Sequence, residues 1–480
     1  MSVKDSFNVK KFELVPPDGG WGYAIAIAAI INISTTTMFL SSSSLLFKEF
    51  LQETGICTTN ASLMRGVSAI TSAIAGYITS PLLKILSIRM LAFLAILIFN
   101  AGWICILFVK SVFAFHICQG ILQGLGIGFI YNLSCTILNE YFVNKRLMAI
   151  SLVQSVVAAI TMVAPLVLKW SLDEFGFRGT ILLISGVSIH NFIAVALMQP
   201  VKWHMKRAVF ADGSNEKLLQ GKKLNEEAAV LPTIKITKAS NVSKTGEKNC
   251  VSSENDEDDK IKKVIHLLVD KSMSQTFVMS CVCAGPALAM FADSTYAVML
   301  PQTLHISGWD KDNVALALIL YGTGDVAMRV LFILLSNWLQ KLGSQELYIV
   351  GVALGLVSIL GMLWSKSVIA TMVYISLVGA SHCAICILIP LVVADAVAPE
   401  QFTTALGLLM MITGLVNLVL GPAIGAVREL SESNVPAFYL IASCFAIIVL
   451  FWSIELCYKN NIHKRNQRKE YLQQKKINKL

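Results

Sequence analysis

An all-α membrane protein, with twelve transmembrane helices in two pseudo-symmetric six-helix halves, is the fold class that three observations in the sequence predict. The 480-residue chain is 55% hydrophobic and only 14% charged, with a mean hydropathy of +0.67. That is far more apolar than a soluble globular chain of this length. Apolar stretches of about 20 residues, enough to cross roughly 30 Å of hydrocarbon as a helix, recur from end to end. One long polar break divides them, and the segments on either side read as copies.

The first six spans are placed at 21–47, 62–85, 90–109, 112–138, 147–168 and 179–199, and the second six at 276–300, 314–339, 347–364, 368–394, 404–427 and 437–457. Pro16 and Pro17 stand where a signal peptide would carry a basic n-region and a small-residue cleavage site, so the first span is read as a retained anchor. The break at 201–263 is rich in Ser, Asn, Lys and Glu and holds the acidic run Glu254, Asp256, Glu257, Asp258, Asp259. It is too polar to bury a core of its own and reads as a disordered cytoplasmic linker. The predicted organisation is a cytoplasmic N-terminus at 1–20, a six-helix half at 21–200, the linker at 201–263, a second half at 264–457 and a basic cytoplasmic tail at 458–480.

The net charge of +9 does not mark a nucleic-acid binder, because its location is membrane-topological. Lys464, Arg465, Arg468, Lys469, Lys475, Lys476 and Lys479 crowd the tail, and Lys4, Lys10 and Lys11 precede the first span. Basic ends place both termini in the cytoplasm. Most of the eleven cysteines lie inside spans, and Cys383-x-x-Cys386 sits within an apolar helix, so they read as buried small side chains. No metal or cofactor is predicted.

The halves match at "YFVNKRLMAISL" and "EQFTTALGLLMM", each leading into a span that carries a proline, Pro165 and Pro422, at an offset of roughly 260 residues. Two such halves enclose a site near the bilayer midplane and expose it to either side by rocking. The first span is introduced by "PPDGGWGY". Asp18 is expected to cap the free N–H groups of the helix it precedes, Gly19 and Gly20 to allow a tight turn, and Trp21 and Tyr23 to sit at headgroup level.

The wording of that stretch resembles the N-terminal motif of the monocarboxylate transporter family of the major facilitator superfamily, typically Pro-Asp-Gly-Gly-Trp-Gly-Trp, with Tyr23 replacing the last Trp. The family's second motif is similar to Tyr141, Phe142, Lys145, Arg146 and Ala149, and the resemblance continues through "FGFRGTILLISG" and "APEQFTTALGL". It covers nearly the whole chain except the middle loop and tail. It implies the major facilitator fold, a plasma-membrane location, small organic acids as substrates and, in some members, a single-span ancillary glycoprotein.

The chemistry concentrates in "LYGTGDVAMRVLFILL". Asp325 and Arg329 stand i, i+4 on one helix face, deep in an apolar span where an ionised side chain costs about 2.5–3.5 kcal/mol. Arg offers a fork that matches a carboxylate, and an ionised Asp325 would repel that carboxylate unless it binds a proton, so proton and anion would favour each other. A pair that only neutralises itself is the alternative. The resemblance implies proton coupling and substrate binding at this Asp-x-x-x-Arg pair. It also puts Ser41 where lactate-carrying members have a lysine, so an alternative is a proton-independent uniporter of aromatic amino acids or related solutes.

Thr37 and Ser41 belong to a hydroxyl-rich run that can hydrogen-bond a ligand or back-bond to the helix. Asn132 matches a family asparagine near the substrate cavity, with a helix-to-helix hydrogen bond as its other reading. His382 titrates in the physiological range, and Asp293 is a second acid inside a span, so both stand with Asp325 as proton-coupling candidates. Gly120, Gly124 and Gly128 recur every four residues as a packing face. No H-E-x-x-H or G-x-S-x-G arrangement points to an enzyme. The expected function is a secondary carrier of small organic acids. A receptor that keeps the fold without transport remains the other class.

Overall fold

The computed structural model describes residues 12–39, 46–47, 58–109, 111–209, 281–431 and 434–477. They are almost wholly helical. The first half contains α1 (Trp21–Thr37), α2 (Thr58–Leu83), α3 (Ile88–Ile106) and α4 (Phe113–Tyr141), then a rod over Arg146–Ile189. Gly176, at φ 63° and ψ −175°, breaks that rod. Only a residue without Cβ holds this conformation cheaply, so 146–175 is counted as α5 and 177–197 as α6. The second half contains α7 (Cys281–Ile306), α8 (Lys311–Leu334), α9 (Ser344–Trp364), α10 (Val368–Ala396), α11 (Phe402–Ser431) and α12 (Val435–Ile477).

Among the described residues, ten stretches are long and apolar enough to cross a membrane. The twelve predicted spans are reconciled with that count at two places. The stretch Arg146–Leu197 is 52 residues long and contains two predicted spans. Helix α1 covers 17 residues, only the first part of the predicted span 21–47, of which 40–45 lie outside the described residues.

Small residues let the helices approach. A Cβ on Gly124 would lie 1.9 Å from Thr71 Oγ1 and one on Gly128 2.2 Å from the Ser72 carbonyl oxygen, so the glycine stripe of α4 is the surface on which α2 packs. The stripe begins in a π-helical turn, His116–Leu122, where the Gly120 carbonyl accepts from Thr71 Oγ1 at 2.7 Å. Between α8 and α10 the contact is reciprocal: a Cβ on Gly324 would meet the Ser376 carbonyl oxygen at 1.8 Å, and one on Gly379 the Tyr321 carbonyl oxygen at 2.0 Å.

The 201–263 segment begins with more order than predicted. Val201–Trp203 forms one 3-10 turn, and β2 (Lys206–Val209) pairs antiparallel with β1 (Phe12–Val15), in the register Phe12 opposite Val209 and Val15 opposite Lys206. This ribbon holds the only strands among the described residues. Positions 210–263 of the predicted linker lie outside the described residues.

The boundary motif is built differently from the sequence expectation. Gly20 is the residue that precedes α1, at φ 58°, and no side chain caps that helix. Asp18, itself at φ 47°, turns instead to the segment before α5. Its Oδ1 accepts the backbone N–H groups of Val143 at 2.7 Å, Asn144 at 2.9 Å and Lys145 at 3.4 Å, and its Oδ2 accepts Asn144 Nδ2 at 2.7 Å. Successive N–H groups make a nest for an anion at a positive helix end. Asp18 therefore accepts backbone N–H groups as expected, but those of the turn just before α5, over 120 residues away in sequence, which local spacing does not reveal.

The rest of the motif closes the same knot. A Cβ on Gly22 would lie 2.9 Å from the Phe142 ring, so glycine is required beside that ring. Trp21 stacks on His204 at 5.1 Å and donates Nε1–H to the Leu197 carbonyl at 3.3 Å, and Tyr141 Oη donates to the Gln199 carbonyl at 3.0 Å. Both family-like motifs and the end of α6 form one structure. Replacing Asp18 by Ala strips three backbone donors of their acceptor and should destabilise the protein by about 0.5–2 kcal/mol. Thermal unfolding of the detergent-purified protein measures this, and an unchanged midpoint would show that water satisfies the nest.

Candidate functional site: two ion pairs in the second half

Helix α8 places Tyr321, Asp325 and Arg329 at four-residue intervals, hence along one face. Arg329 is 5% exposed, and its Nε–H is shared between both Asp325 carboxylate oxygens at 3.0 Å each. The guanidinium is only partly used. Arg329 Nη1 is buried without a hydrogen-bond partner, and so is the hydroxyl of Tyr321. An unpaired donor on a buried cation is costly unless something fills the position, and a carboxylate is the geometric complement of the free edge. Next to Tyr321, a Cβ on Gly322 would meet nothing within 4 Å.

A second pair lies beside the first and joins two helices. Asp293 of α7 is 6% exposed, and its Oδ2 is 2.6 Å from His382 Nδ1 of α10. Cys386, one turn along α10, lies 3.8 Å from His382 Nε2. The Tyr321 ring lies 5.9 Å from the imidazole and 6.4 Å from Tyr296 of α7, so two tyrosines line the region between the pairs. Sequence reasoning named all four charged residues but not this pairing, because partners 89 positions apart leave no periodic signal. Tyr321 was legible, one turn before Asp325, and was passed over.

The remaining candidates lie elsewhere. Asn132 is fully buried and donates Nδ2 to the Gly76 carbonyl at 2.8 Å and to the Thr403 carbonyl at 3.4 Å, while Thr136 donates to its Oδ1. Its amide is committed to contacts between α4, α2 and α11. Thr37 Oγ1 donates back to the Ile33 carbonyl at 2.7 Å, and Ser41 lies outside the described residues.

The contacts of Asn132 belong to a junction between the halves. There the Ser80 and Thr404 hydroxyls touch, and Thr136 and Thr403 share a hydrogen bond at 3.0 Å. A Cβ on Gly407 would lie 2.2 Å from the Gly76 carbonyl oxygen. Arg146, which also donates Nε–H to the Phe142 carbonyl, reaches Asp395 at 3.7 Å. Every one of these groups comes from the end of the bundle that carries the boundary motif, and that end is closed.

Two six-helix halves that join at one end and hold buried charge between their helices form the architecture of a known superfamily, and the sequence matches its profile over residues 25–238 and 282–477. The chain belongs to the Major Facilitator Superfamily. This is a family of transporters, not of enzymes. Among its members the chain is 32% identical to monocarboxylate transporter 1 of Homo sapiens over 191 residues, 39% of this chain and 37% of that protein. It is 25% identical to monocarboxylate transporter 1 of Bos taurus over 422 residues, 86% of this chain and 80% of that protein. The match to the human relative thus spans little more than a third of its length. The fold is shared with the human organic anion transporter MFSD10, at a TM-score of 0.59 and 14% identity over 91% of this chain and all of that one.

Alternating access, as in transporters built of two halves, would part this closed end. The double substitution Ser80→Cys with Thr404→Cys puts two thiols where hydroxyls already touch. Oxidation is expected to cross-link the halves, read as an undivided band after cleavage at a protease site inserted between 210 and 280, and to arrest transport. Two bands after oxidation would show that this junction is rarely formed in the membrane.

Proposed function

We propose that the protein is a monocarboxylate-transporter-like secondary carrier, moving small organic acids across the plasma membrane by alternating access, with both termini in the cytoplasm. Arg329 binds the substrate carboxylate, and Asp325 holds the guanidinium in place and balances its charge while the site is empty. The observation that carries this reading is the free, buried Nη1 edge of Arg329 beside Asp325. A guanidinium needed only for neutralisation would gain nothing from leaving one edge unpaired inside an apolar bundle. Thr37 and Asn132 of the first half, proposed with Ser41 as substrate contacts from the sequence, would have to change partners to reach the same ligand; the alternation between two states supplies such a movement. The domain division into halves 21–200 and 264–457 around a cytoplasmic segment fits the same cycle. The similarity to the named monocarboxylate transporters supports the substrate class, and an ancillary glycoprotein partner is part of the same proposal.

The test is uptake of labelled pyruvate, lactate and an aromatic amino acid into cells expressing the chain. Arg329→Ala should reduce carboxylate uptake at least about tenfold, the loss expected for one charge-assisted hydrogen-bonded contact, with surface abundance retained. Arg329→Lys should also fail, because an ammonium lacks the planar fork. Equal loss of surface abundance and uptake would assign the pair to folding. Uptake of the amino acid alone would favour the uniporter of aromatic solutes.

A further inference from the structure

The two buried pairs differ in a way that separates their work. Asp325 and Arg329 share one helix, so their separation is fixed by α8 alone. Asp293 and His382 stand on α7 and α10, so their contact depends on how two helices sit together. Their ionisation differs as well. Arg329 never gives up its charge, and a proton arriving at Asp325 must compete with it for an oxygen it already occupies. An imidazole gains and loses its charge within the physiological range.

Among the described residues, the ionisable neighbours of His382 come from its own helix and from those packed against it. From α7 it faces Asp293 and, beyond it, Tyr296; from α8 it faces Tyr321, with Asp325 and Arg329 one and two turns further on; its own helix adds Cys383 and Cys386. Helix α9, packed against α10, brings the buried Tyr348. The rod Arg146–Ile189 carries no ionisable side chain over 147–168 or 179–189, and α11 carries none over 402–427. Arg146 meets α10 only at Asp395, about three and a half turns away. The His382 side chain is 30% exposed against 7% for Asp293, so the imidazole is the accessible member and the carboxylate is sealed behind it.

We propose that the Asp293–His382 pair is the proton-binding site of this carrier, the proton entering at the imidazole and holding α7 to α10 as an ion pair. The inference rests on the carboxylate reading of Arg329 for its consequence, though not for its location. The sign follows from charge. With His382 protonated both pairs are neutral, and an incoming carboxylate meets no net repulsion. With His382 neutral, Asp293 leaves the region one unit negative and opposes the anion. Proton and carboxylate therefore raise each other's affinity by the same factor. Lower external pH strengthens substrate binding, and the proton is carried with the anion. This coupling needs no cation at position 41.

The experiment combines a substrate-free and a substrate-dependent readout. The purified full-length protein is titrated with pH and followed by infrared difference spectroscopy. A paired imidazole and carboxylate signal is expected in the wild type, absent from His382→Gln and shifted in Asp293→Asn. Uptake of pyruvate in the wild type should show a KM at least about fivefold lower near about pH 6 than near about pH 8. The double variant Asp293→Asn with His382→Gln, which keeps a neutral hydrogen bond and avoids an orphaned buried charge, should lose that dependence. Its KM should stay close to the low wild-type value at either pH, whereas His382→Gln alone should hold the high value. An infrared signal that survives in His382→Gln, or an unchanged KM dependence in the double variant, overturns the proposal and returns the proton to Asp325. A wild type that moves neither pyruvate nor lactate, yet titrates at His382, sinks the carboxylate reading and upholds the proton site.

Discussion

A charge placed in hydrocarbon needs a partner within reach, and the second half of this protein is arranged around meeting that demand twice. Away from their ends the helices α7, α8 and α10 carry few other charges, so each ionised group dictates what stands next to it. Gly324 and Gly379 remove the side chains that would hold α8 and α10 apart, and this close approach puts Tyr321 beside His382 and the two ion pairs in one neighbourhood. The same demand explains why the four charged residues belong to three helices within one half. These two pairs are neutralised within the second half, whereas Arg146 of the first half meets its acid, Asp395, across the junction.

Much of this was readable from composition and local spacing. The fold class follows from hydropathy, and the Asp325–Arg329 contact from an i, i+4 interval in an apolar helix. The glycine stripe of α4 also declared itself by period. Contacts between distant segments left no such trace. The partnership of Asp293 with His382, the Tyr296 and Tyr321 rings around it, and the commitment of Asn132 to the junction of α2 and α11 all depend on tertiary packing. A single sequence records the residues of such contacts but not which ones meet.

Asp18 illustrates the limit most sharply. An acidic residue followed by glycines and an apolar run has the look of a helix cap, and the carboxylate does accept backbone N–H groups. The groups it serves belong to the turn before α5, reached because α1 and α4 run side by side and bring the segment after Tyr141 back to the start of the bundle. The local rule identified the right chemistry and the wrong recipient, since the rule presumes that the nearest free donors are the nearest in sequence. The two motifs that carry the family resemblance thus form one physical object.

The closed end has a kinetic meaning of its own. It is fastened by hydroxyl contacts, a glycine crossing and an ion pair whose Asp395 side chain is 54% exposed. Such a pair contributes about 0.2–1 kcal/mol and is weakened by salt. Since every 1.4 kcal/mol of barrier slows a step about tenfold, a tighter clasp here would lengthen each turnover without improving recognition of the cargo. So exposed a fastening costs little to open, and its strength falls as ionic strength rises.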